Sequence, residues 1–577
     1  MVVLDDASVV GVDIAKMHGG LSFPVSVSSR LPMERRADAI QPQGATNVGW
    51  PATASPWIVA AIALASFILR LWRIDFQSVW LDEAHTAFYV TGQTVRVVVE
   101  RFSRPGENGP LYYLALLPWR EAFGGGEVAL RSFSAVAATL AVPATWLALR
   151  GLIGGRDALL TAAVVGFAPY LTWYAQEAKM YALALLAGVV SLWLFVSALH
   201  HGGARRWVAY AVVGLASIYV HFFALLTLGA HALVAPIVAW PNRRRTWAAW
   251  LTIGAVICPV LAWQATAIGR DVAGSGAIMS TGEASLGARF AILAYAYTMN
   301  VTPVPVAVVV FVAVALIGFG SANAIEPAWQ ALRESGGREI VRNGLPTGVR
   351  GPLAVVVLAW APFVAHAAAM GAIGAGLFAD RYFVATVPLL YAVAVAAYRA
   401  ITNRSRVGGA VLAALIVTGG GWATFYQVSV PVKDDFRRAM ALFRGGKGDR
   451  DAVVPLPHIL SYPVAYHSPP GLDIVTIDTE RPPVDFAEKF SGRSGVWVVS
   501  NASDRYVPLH DVRQWLVGHA TLASDDAVAG GLRVQHWRLD GGCRAVPAPD
   551  GGWRAPSFEQ PCVDGLLSTP ELTIVRP

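Results

Sequence analysis

Charged residues are scarce in this chain, and their scarcity excludes most classes of protein. Of the 577 residues, 14% are charged and 55% are hydrophobic, and the mean hydropathy is +0.49. A soluble globular protein carries roughly a quarter charged residues. A soluble enzyme is therefore not expected, and neither is a disordered or coiled-coil chain. The composition predicts a polytopic membrane protein.

Cysteine is also rare, with three residues in the whole chain. A disulfide-rich secreted scaffold is therefore excluded. Cys258 falls within an apolar run, where we expect a small core residue. Cys543 and Cys562 lie in the polar C-terminal part, where an oxidising compartment would permit a disulfide that spacing alone does not establish. No His/Cys cluster has the spacing of a zinc site.

The excess of positive charge needs a separate explanation. The formal net charge is +7 and the sequence pI is about 9.3. Nucleic-acid binding is not expected, because the Arg residues are scattered and no basic arm alternates with aromatic residues. In a membrane protein, excess Lys and Arg mark the cytoplasmic loops. We therefore expect membrane lipids, and no nucleic acid, among the partners.

Long apolar runs predict the membrane spans. A spanning helix needs roughly 20 apolar residues, and the sequence contains about eleven runs that approach this length. They are Trp57–Trp72, Val128–Leu149, Ala158–Trp173, Tyr181–Leu199, Trp207–Val220, Phe222–Trp240, Trp247–Ile268, Val304–Gly320, Leu353–Met370, Tyr382–Tyr398 and Val407–Phe425. Pro110–Phe123 is shorter and interrupted. If it does not cross, every dense Arg cluster falls on the cytoplasmic side, so we expect a juxtamembrane helix there.

This topology predicts the domain organisation. Residues 1–54 are expected to form a disordered cytoplasmic tail, 55–428 a transmembrane domain with its first outer loop at 75–127, and 429–577 an exported domain. Patterning predicts strands and one helix in the last part, at Ala452–Leu456, Gly495–Ser500, Leu532–Leu539 and Leu509–Gly518. The predicted fold is an all-α polytopic membrane protein with a small C-terminal α/β or α+β domain.

Acidic and basic residues collect in the predicted outer links, and each group also has a structural explanation. Asp82 and Glu83 follow the first span, where acids also suit a helix N-terminus. Glu177 and Lys179 lie between aromatic residues, as in an interfacial belt. His221 is a lone histidine at the end of a span, which is more often a hydrogen-bonded structural residue.

Two further groups complete the set. Asp380 and Arg381 precede the tenth run, where such a pair can cap a helix, and Lys433-Asp434-Asp435 follows the last run, where a charged linker is common. Each signal alone is weak, but all of them fall on one predicted face. Carboxylates beside Lys and Arg are what a lipid-phosphate substrate and a nucleophile that must lose a proton require.

At these motifs the chain resembles the GT-C superfamily of membrane glycosyltransferases, over roughly Ala60 to Arg444. It is most similar to bacterial members of the protein O-mannosyltransferase and lipid A aminoarabinose transferase group, which is glycosyltransferase family 39-like. The segments that carry the resemblance are VWLDEAHTAFYV (Val79–Val90), GPLYYLALLPWREAFGGGEVALRSFSAV (Gly109–Val136), YAQEAKMYAL (Tyr174–Leu183), YVHFFALL (Tyr219–Leu226), DRYFVATVP (Asp380–Pro388) and KDDFRRA (Lys433–Ala439). KDDF stands where relatives often have a Trp, and the exported tail matches no known pattern.

The resemblance implies a GT-C fold and a sugar donor carried on a polyprenyl phosphate, with a lipid, glycan or protein as acceptor. It implies that Asp82 is the general base that deprotonates the acceptor hydroxyl, with inversion at the anomeric carbon. Arg381 and Lys179 are expected to bind the leaving phosphate. The other residues implied in substrate binding are Glu83, Glu177, Tyr181, His221, Tyr382 and Asp434.

Metal dependence differs within this group, so Asp82 and Glu83 are also candidate ligands of Mg²⁺ or Mn²⁺. The expected location is the bacterial inner membrane, with the N-terminus cytoplasmic and the C-terminal domain outside. Two alternatives stay open. A lipid-linked sugar flippase or other transporter should contain internal repeats and broken helices. An O-antigen ligase-like enzyme should carry a larger outer loop between late spans.

Overall fold

The computed structural model describes residues 56–104, 107–274, 285–373, 378–469, 471–477, 486–501 and 507–539. The predicted N-terminal tail, 1–54, lies outside the described residues, and so do Cys543 and Cys562.

Helices and the links between them make up the described N-terminal part, which we call the helical body. They are α1 Pro56–Leu71, α2 Leu81–Gly92, α3 Val95–Phe102, α4 Leu111–Phe123, α5 Glu127–Ile153, α6 Gly155–Phe167, α7 Pro169–Ala175, α8 Tyr181–His201, α9 Ala204–Val220, α10 Ala224–Ala239, α11 Arg243–Gly274, α12 Leu286–Met299, α13 Val306–Asn343, α14 Thr347–Ile373, α15 Val387–Arg404 and α16 Arg406–Gln427. A 3-10 turn at Asp380–Phe383 precedes α15.

Every predicted apolar run overlaps a helix, which confirms a multi-pass membrane protein. Within the described residues, six helices are long and apolar enough to cross a membrane, or seven if the bent pair α6 and α7 counts as one span. The predicted number of about eleven is not reached by this criterion. Helices α1 and α10 have only 16 residues each, roughly 24 Å at 1.5 Å per residue, which is shorter than the hydrocarbon core.

Two elements of the body differ from the sequence-based prediction. Helix α12 was missed because its 14 residues are too few to resemble a span. Cys258 was expected in the core, but it is exposed on α11. This helix lies at the edge of the bundle, where only 22% of its most apolar window is buried by other residues. The prediction of a separate short helix at Pro110–Phe123 is confirmed by α4.

The bend between α6 and α7 directs the chain into one end of the bundle. The two helix axes differ by 55°. Pro169 lacks the N–H that would otherwise bond to the Val165 carbonyl in a continuous helix. The Arg70 guanidinium of α1 donates to that carbonyl at 3.1 Å instead. The Gln176 amide in turn donates to the Arg70 and Trp72 carbonyls, at 3.0 Å each, so the end of α1 fixes the end of α7.

The C-terminal part is a four-stranded mixed sheet with helices on both faces. Its strands are β1 Asp451–Leu456, β2 Gly495–Asn501, β3 Thr521–Val528 and β4 Leu532–Arg538, in the order β1-β2-β4-β3. Strands β1 and β2 are parallel and the other pairs antiparallel. The helices are α17 Phe436–Gly446, α18 Ser461–His467, α19 Phe486–Phe490 and α20 Val507–His519.

Helices α17 and α18 cover one face of this sheet, around Phe443 and Trp497, while α19 and α20 cover the other, around Val498 and Leu516. Burial on both faces explains why β1 and β2 are almost continuously apolar. This layering makes the small domain α/β, the first of the two predicted alternatives. The three predicted strands and the predicted helix are confirmed.

Hydrogen bonds connect the start of the small domain to the loop that follows α1. The Gln77 amide group donates to the Gln427 and Val430 carbonyls and accepts from the backbone N–H groups of Val432 and Lys433. Further along, the Arg437 N–H donates to the Ser78 hydroxyl. The chain therefore leaves α16 along a fixed path that passes directly beside the start of α2.

Candidate active site

The site is built around the first turn of α2, which contains Asp82 and Glu83. Acidic side chains at this position complement the positive end of the helix dipole. Consecutive helical residues point about 100° apart, so the two carboxylates have different surroundings. The Glu83 side chain is 1% exposed, whereas the Asp82 side chain is 28% exposed.

Glu83 is fully engaged by protein donors. Arg131 of α5 donates two parallel hydrogen bonds to its carboxylate, each 2.7 Å long. The Ala178 N–H donates to Glu83 Oε1 at 2.9 Å, and Lys433 Nζ donates to Oε2 at 3.4 Å. Burial opposes ionisation, but the charges of Arg131 and Lys433 outweigh it and hold the pKa of Glu83 below its usual value. Glu83 is therefore an ionised structural anchor between α2, α5 and the segment before α8.

Glu177 lies beside this anchor and depends on one cation. Its Oε1 is 2.9 Å from Lys433 Nζ, and its side chain is 1% exposed. Burial raises the pKa of Glu177, and the neighbouring Glu83 raises it further, while Lys433 opposes both effects. Lys433 also lies over the Trp80 and Trp173 rings, at 5.6 and 4.8 Å from their centroids.

Asp82 faces the open side of the cluster. Lys179 Nζ is 3.9 Å from Asp82 Oδ1 and donates to the Asp82 carbonyl at 3.4 Å. Burial raises the pKa of Asp82, but the positive charges of Lys179 and Arg381 outweigh that effect and bring it below the usual value. Asp82 is thus an ionised, partly accessible carboxylate between cations.

An aromatic wall with one cation completes the site. The Arg381 guanidinium lies 5.9 Å from the centre of the Tyr181 ring. The His221 ring lies 5.9 Å from Tyr181 and 6.3 Å from Tyr382, and Tyr382 stacks on Phe223 at 4.1 Å. Burial, and then Arg381, lower the pKa of His221 to about 3, so this imidazole is neutral at physiological pH.

Hydrogen bonds fix the turn that carries Arg381. The Tyr174 hydroxyl of α7 donates to the Asp380 carboxylate at 3.1 Å, and the Tyr297 hydroxyl of α12 donates to the Asp380 carbonyl at 2.8 Å. The bent helix and the unpredicted α12 therefore both position this cation.

The structure brings most of the predicted site residues together at one end of the helical body. They are Asp82, Glu83, Glu177, Lys179, Tyr181, His221, Arg381 and Tyr382. Asp434 differs, because its backbone packs against Gly530 of the small domain and its neighbour Lys433 contacts the carboxylates. Neighbouring residues of a non-helical segment point in different directions, so the motif KDDF did not indicate which residue enters the site. The role of Asp434 in substrate binding stays a prediction.

Sequence reasoning missed Arg131, Tyr113 and His85 as members of the site, and from the group Lys433-Asp434-Asp435 it selected Asp434 instead of Lys433. Arg131 had a signal, because an ionisable residue within an apolar run is a candidate functional residue. Tyr113 lies within the run predicted to be juxtamembrane, and its hydroxyl is close enough to Lys179 to raise the pKa of that ammonium. His85 lies one helical turn after Asp82, and burial, followed by Lys179, lowers its pKa to about 4.

The donor set does not fit a divalent cation at Asp82 and Glu83. Both Glu83 oxygens already accept from Arg131, and Lys179 lies beside Asp82. A metal ion there would have to compete with these charges for the same oxygens. Among the described residues, no group of three or more His, Cys, Asp or Glu residues could hold a metal ion. The chemistry below is therefore derived from the side chains alone.

Comparison with known proteins gave structural likenesses only. No protein-family model and no curated protein sequence matches the chain. The structure is similar to that of ArnT from Cupriavidus metallidurans bound to undecaprenyl phosphate, with 14% identity, a TM-score of 0.48, and coverage of 84% of this chain and 98% of ArnT.

It is also similar to the archaeal oligosaccharyltransferase AglB from Archaeoglobus fulgidus in complex with an inhibitory peptide and a dolichol-phosphate. Here the identity is 15% and the TM-score 0.45, with coverage of 88% of this chain and 74% of AglB.

Proposed function

We propose that this protein is an inverting membrane glycosyltransferase that transfers a sugar from a polyprenyl-phosphate donor to a hydroxyl of a lipid, glycan or protein acceptor. The observation that carries the proposal is the contrast between the two adjacent carboxylates. Glu83 is saturated with protein donors, whereas Asp82 is ionised, 28% exposed, and held 3.9 Å from Lys179. A partly exposed carboxylate in a rigid, charged setting suits a general base.

In the proposed reaction, Asp82 accepts the proton of the acceptor hydroxyl as its oxygen attacks the anomeric carbon. The bond between that carbon and the phosphate oxygen breaks on the opposite side, and the polyprenyl phosphate leaves with an added negative charge. Lys179 and Arg381 are the cations next to Asp82 that can stabilise this charge. Tyr181, His221 and Tyr382 form the adjoining aromatic wall, which suits the contact with the sugar and the first prenyl unit.

Transfer of label from radiolabelled polyprenyl-phosphate sugars to a membrane extract tests the proposal. Asp82→Asn is expected to lower the rate roughly 10²- to 10⁴-fold, the usual contribution of a general base. Asp75→Asn is the matched control, because Asp75 is an exposed carboxylate of the same loop. Transfer that survives Asp82→Asn at the wild-type rate would refute the assignment of the base, and donor movement across the bilayer without transfer would support the flippase instead.

The orientation is part of the same proposal. With the N-terminus in the cytoplasm of a bacterial cell, the Arg-rich links lie inside and the site opens on the outer surface of the inner membrane. Reporter fusions after Asp75 and after Phe123 should then both lie outside. Reporters on opposite sides of the membrane would contradict this topology.

A further inference from the structure

One residue near the start of the small domain lies inside the charged cluster of the helical body. Lys433 precedes α17, yet its side chain is only 5% exposed and its ammonium contacts both Glu83 and Glu177. Two tryptophan rings, Trp80 and Trp173, flank the same ammonium. A lysine in this position has lost its hydration, so its contacts with the carboxylates must replace it.

The backbone at Lys433 is fixed independently of its side chain. The side-chain amide oxygen of Gln77, Oε1, accepts from the N–H of Lys433 at 3.2 Å and from that of Val432 at 3.1 Å. Gln77 lies five residues before Asp82 in the sequence. The loop that carries the candidate base therefore also binds the start of the small domain. This fixes the backbone position from which the Lys433 side chain enters the site.

Glu83 and Glu177 do not depend on Lys433 equally. Glu83 also accepts two hydrogen bonds from Arg131. Among the described residues, the contact with Lys433 is the only salt bridge of Glu177, and neither Glu177 oxygen has a hydrogen-bond partner of good geometry. Removal of Lys433 would leave a carboxylate that is 1% exposed without a counter-ion. Such a group takes up a proton or moves.

Movement of Glu177 would displace the next two residues, Ala178 and Lys179, which contact the carboxylates of the site. The N–H of Ala178 donates to Glu83, and Lys179 contacts Asp82. We propose that Lys433 is a positioning residue, which acts through Glu177 to hold Lys179 against Asp82, so that the small domain completes the active site. This inference rests on the proposed sugar transfer.

Lys433→Met tests the inference by removing the charge and keeping the length of the side chain. We expect kcat to fall about 100-fold, the usual cost of a misplaced catalytic group, while the donor KM changes less. Lys433→Arg should recover most of kcat. Lys447→Met is the matched control, because Lys447 is an exposed lysine of the same domain. A Lys433→Met variant with wild-type kcat would refute the proposal.

A pH profile separates positioning from simple loss of structure. The charged and titratable groups around Glu177 in the described part of the chain are Lys433, Glu83, Asp82, Arg131, Tyr112, Tyr174 and Tyr181. Lys433 lowers the pKa of Glu177, so without it Glu177 should be protonated up to a higher pH. The acid limb of the Lys433→Met profile should therefore shift upward, with partial recovery of activity at alkaline pH. An unshifted profile would contradict the role of Glu177.

The double variant Lys433→Met/Glu177→Gln provides the decisive comparison. Because a neutral glutamine at position 177 needs no counter-ion, Lys433→Met should have little further effect on kcat in the Glu177→Gln background. Another loss of about 100-fold there would overturn the inference. If the wild-type protein transfers no sugar, the proposed function fails. The thermal unfolding of the same four proteins then tests the pairing by itself, and additive effects would refute it.

Discussion

Neutralising either of the two adjacent carboxylates in the first turn of α2 should have different effects: one substitution should reduce sugar transfer and the other should reduce stability. Asp82→Asn is expected to slow transfer roughly 10²- to 10⁴-fold and leave stability nearly unchanged, whereas Glu83→Gln is expected to destabilise the protein. The reason is the difference in their partners. Among the described residues, Asp82 makes one ion pair, 3.9 Å long, and its side chain is 28% exposed. Pairs this loose and accessible contribute about 0–1 kcal/mol.

Glu83→Gln would break a buried, bidentate pair. The Glu83 and Arg131 side chains are each 1% exposed, and loss of one partner of a buried pair costs about 3–5 kcal/mol. Lys433 would also keep only Glu177 as its counter-ion. At roughly 2–4 °C per kcal/mol, the apparent Tm should fall by about 6–20 °C. Thermal unfolding of both variants in lipid nanodiscs, followed by tryptophan fluorescence, measures the difference.

The pH dependence gives a second test with a defined sign. The pKa of Glu83 is lower in the folded protein than its usual value of 4.5, because Arg131 and Lys433 outweigh the effect of burial. The stability that Glu83 contributes is therefore present above about pH 4.5 and is lost as the pH falls below it. The Tm values of wild type and Glu83→Gln should converge in acid. Equal losses of Tm in Asp82→Asn and Glu83→Gln, or none in Glu83→Gln, would refute the reasoning.

Three other changes have defined outcomes. Burial raises the pKa of Asp434 to about 6. Ionising this group in the folded protein therefore lowers the stability progressively as the pH rises from about 4 to 6. Asp434→Asn should remove this penalty of up to about 3 kcal/mol and raise the Tm at pH 7.5. An unchanged Tm would contradict this. Gly530→Ala should destabilise the small domain, because Gly530 has φ +82° and its added Cβ would overlap the Asp434 backbone; Gly518→Ala, with open space around it, should not. Arg70→Met should cost about 1–3 kcal/mol by leaving the Val165 carbonyl unpaired, and a Tm equal to that of wild type would refute this.

Local hydropathy was enough to predict most helices and the polar clusters at one end of the bundle. It failed where an element depends on a distant partner. Strand β3 has the polar sequence TLASDDAV and lies at the sheet edge, where half-exposed residues are tolerated. Its pairing with β4, which includes a bulge between Leu522 and Ser524, defines it as a strand. Nothing in those eight residues alone indicates this pairing.

The candidate site likewise contains residues that local sequence predicts and residues that depend on distant partners. Position in the outer links predicted Asp82, Glu177 and Arg381, because span ends can be read from composition. The identity of the buried partners could not be read in that way. Contacts of Glu83 with Arg131 and Lys433 join positions 48 and 350 residues apart, and only the folded chain brings them together.

The bend at Pro169 couples positions 70 and 169, which are far apart in the sequence, so a substitution at one affects the other. Pro169 removes a hydrogen-bond donor from one helix, and Arg70 supplies a replacement from another, 3.1 Å from the Val165 carbonyl. Pro169→Ala would restore the amide N–H, which would bond to the Val165 carbonyl and straighten the helix. The buried Arg70 guanidinium would then lose this acceptor. Homologous chains should therefore keep or lose Arg70 and Pro169 together, and an engineer who replaces one must replace the other.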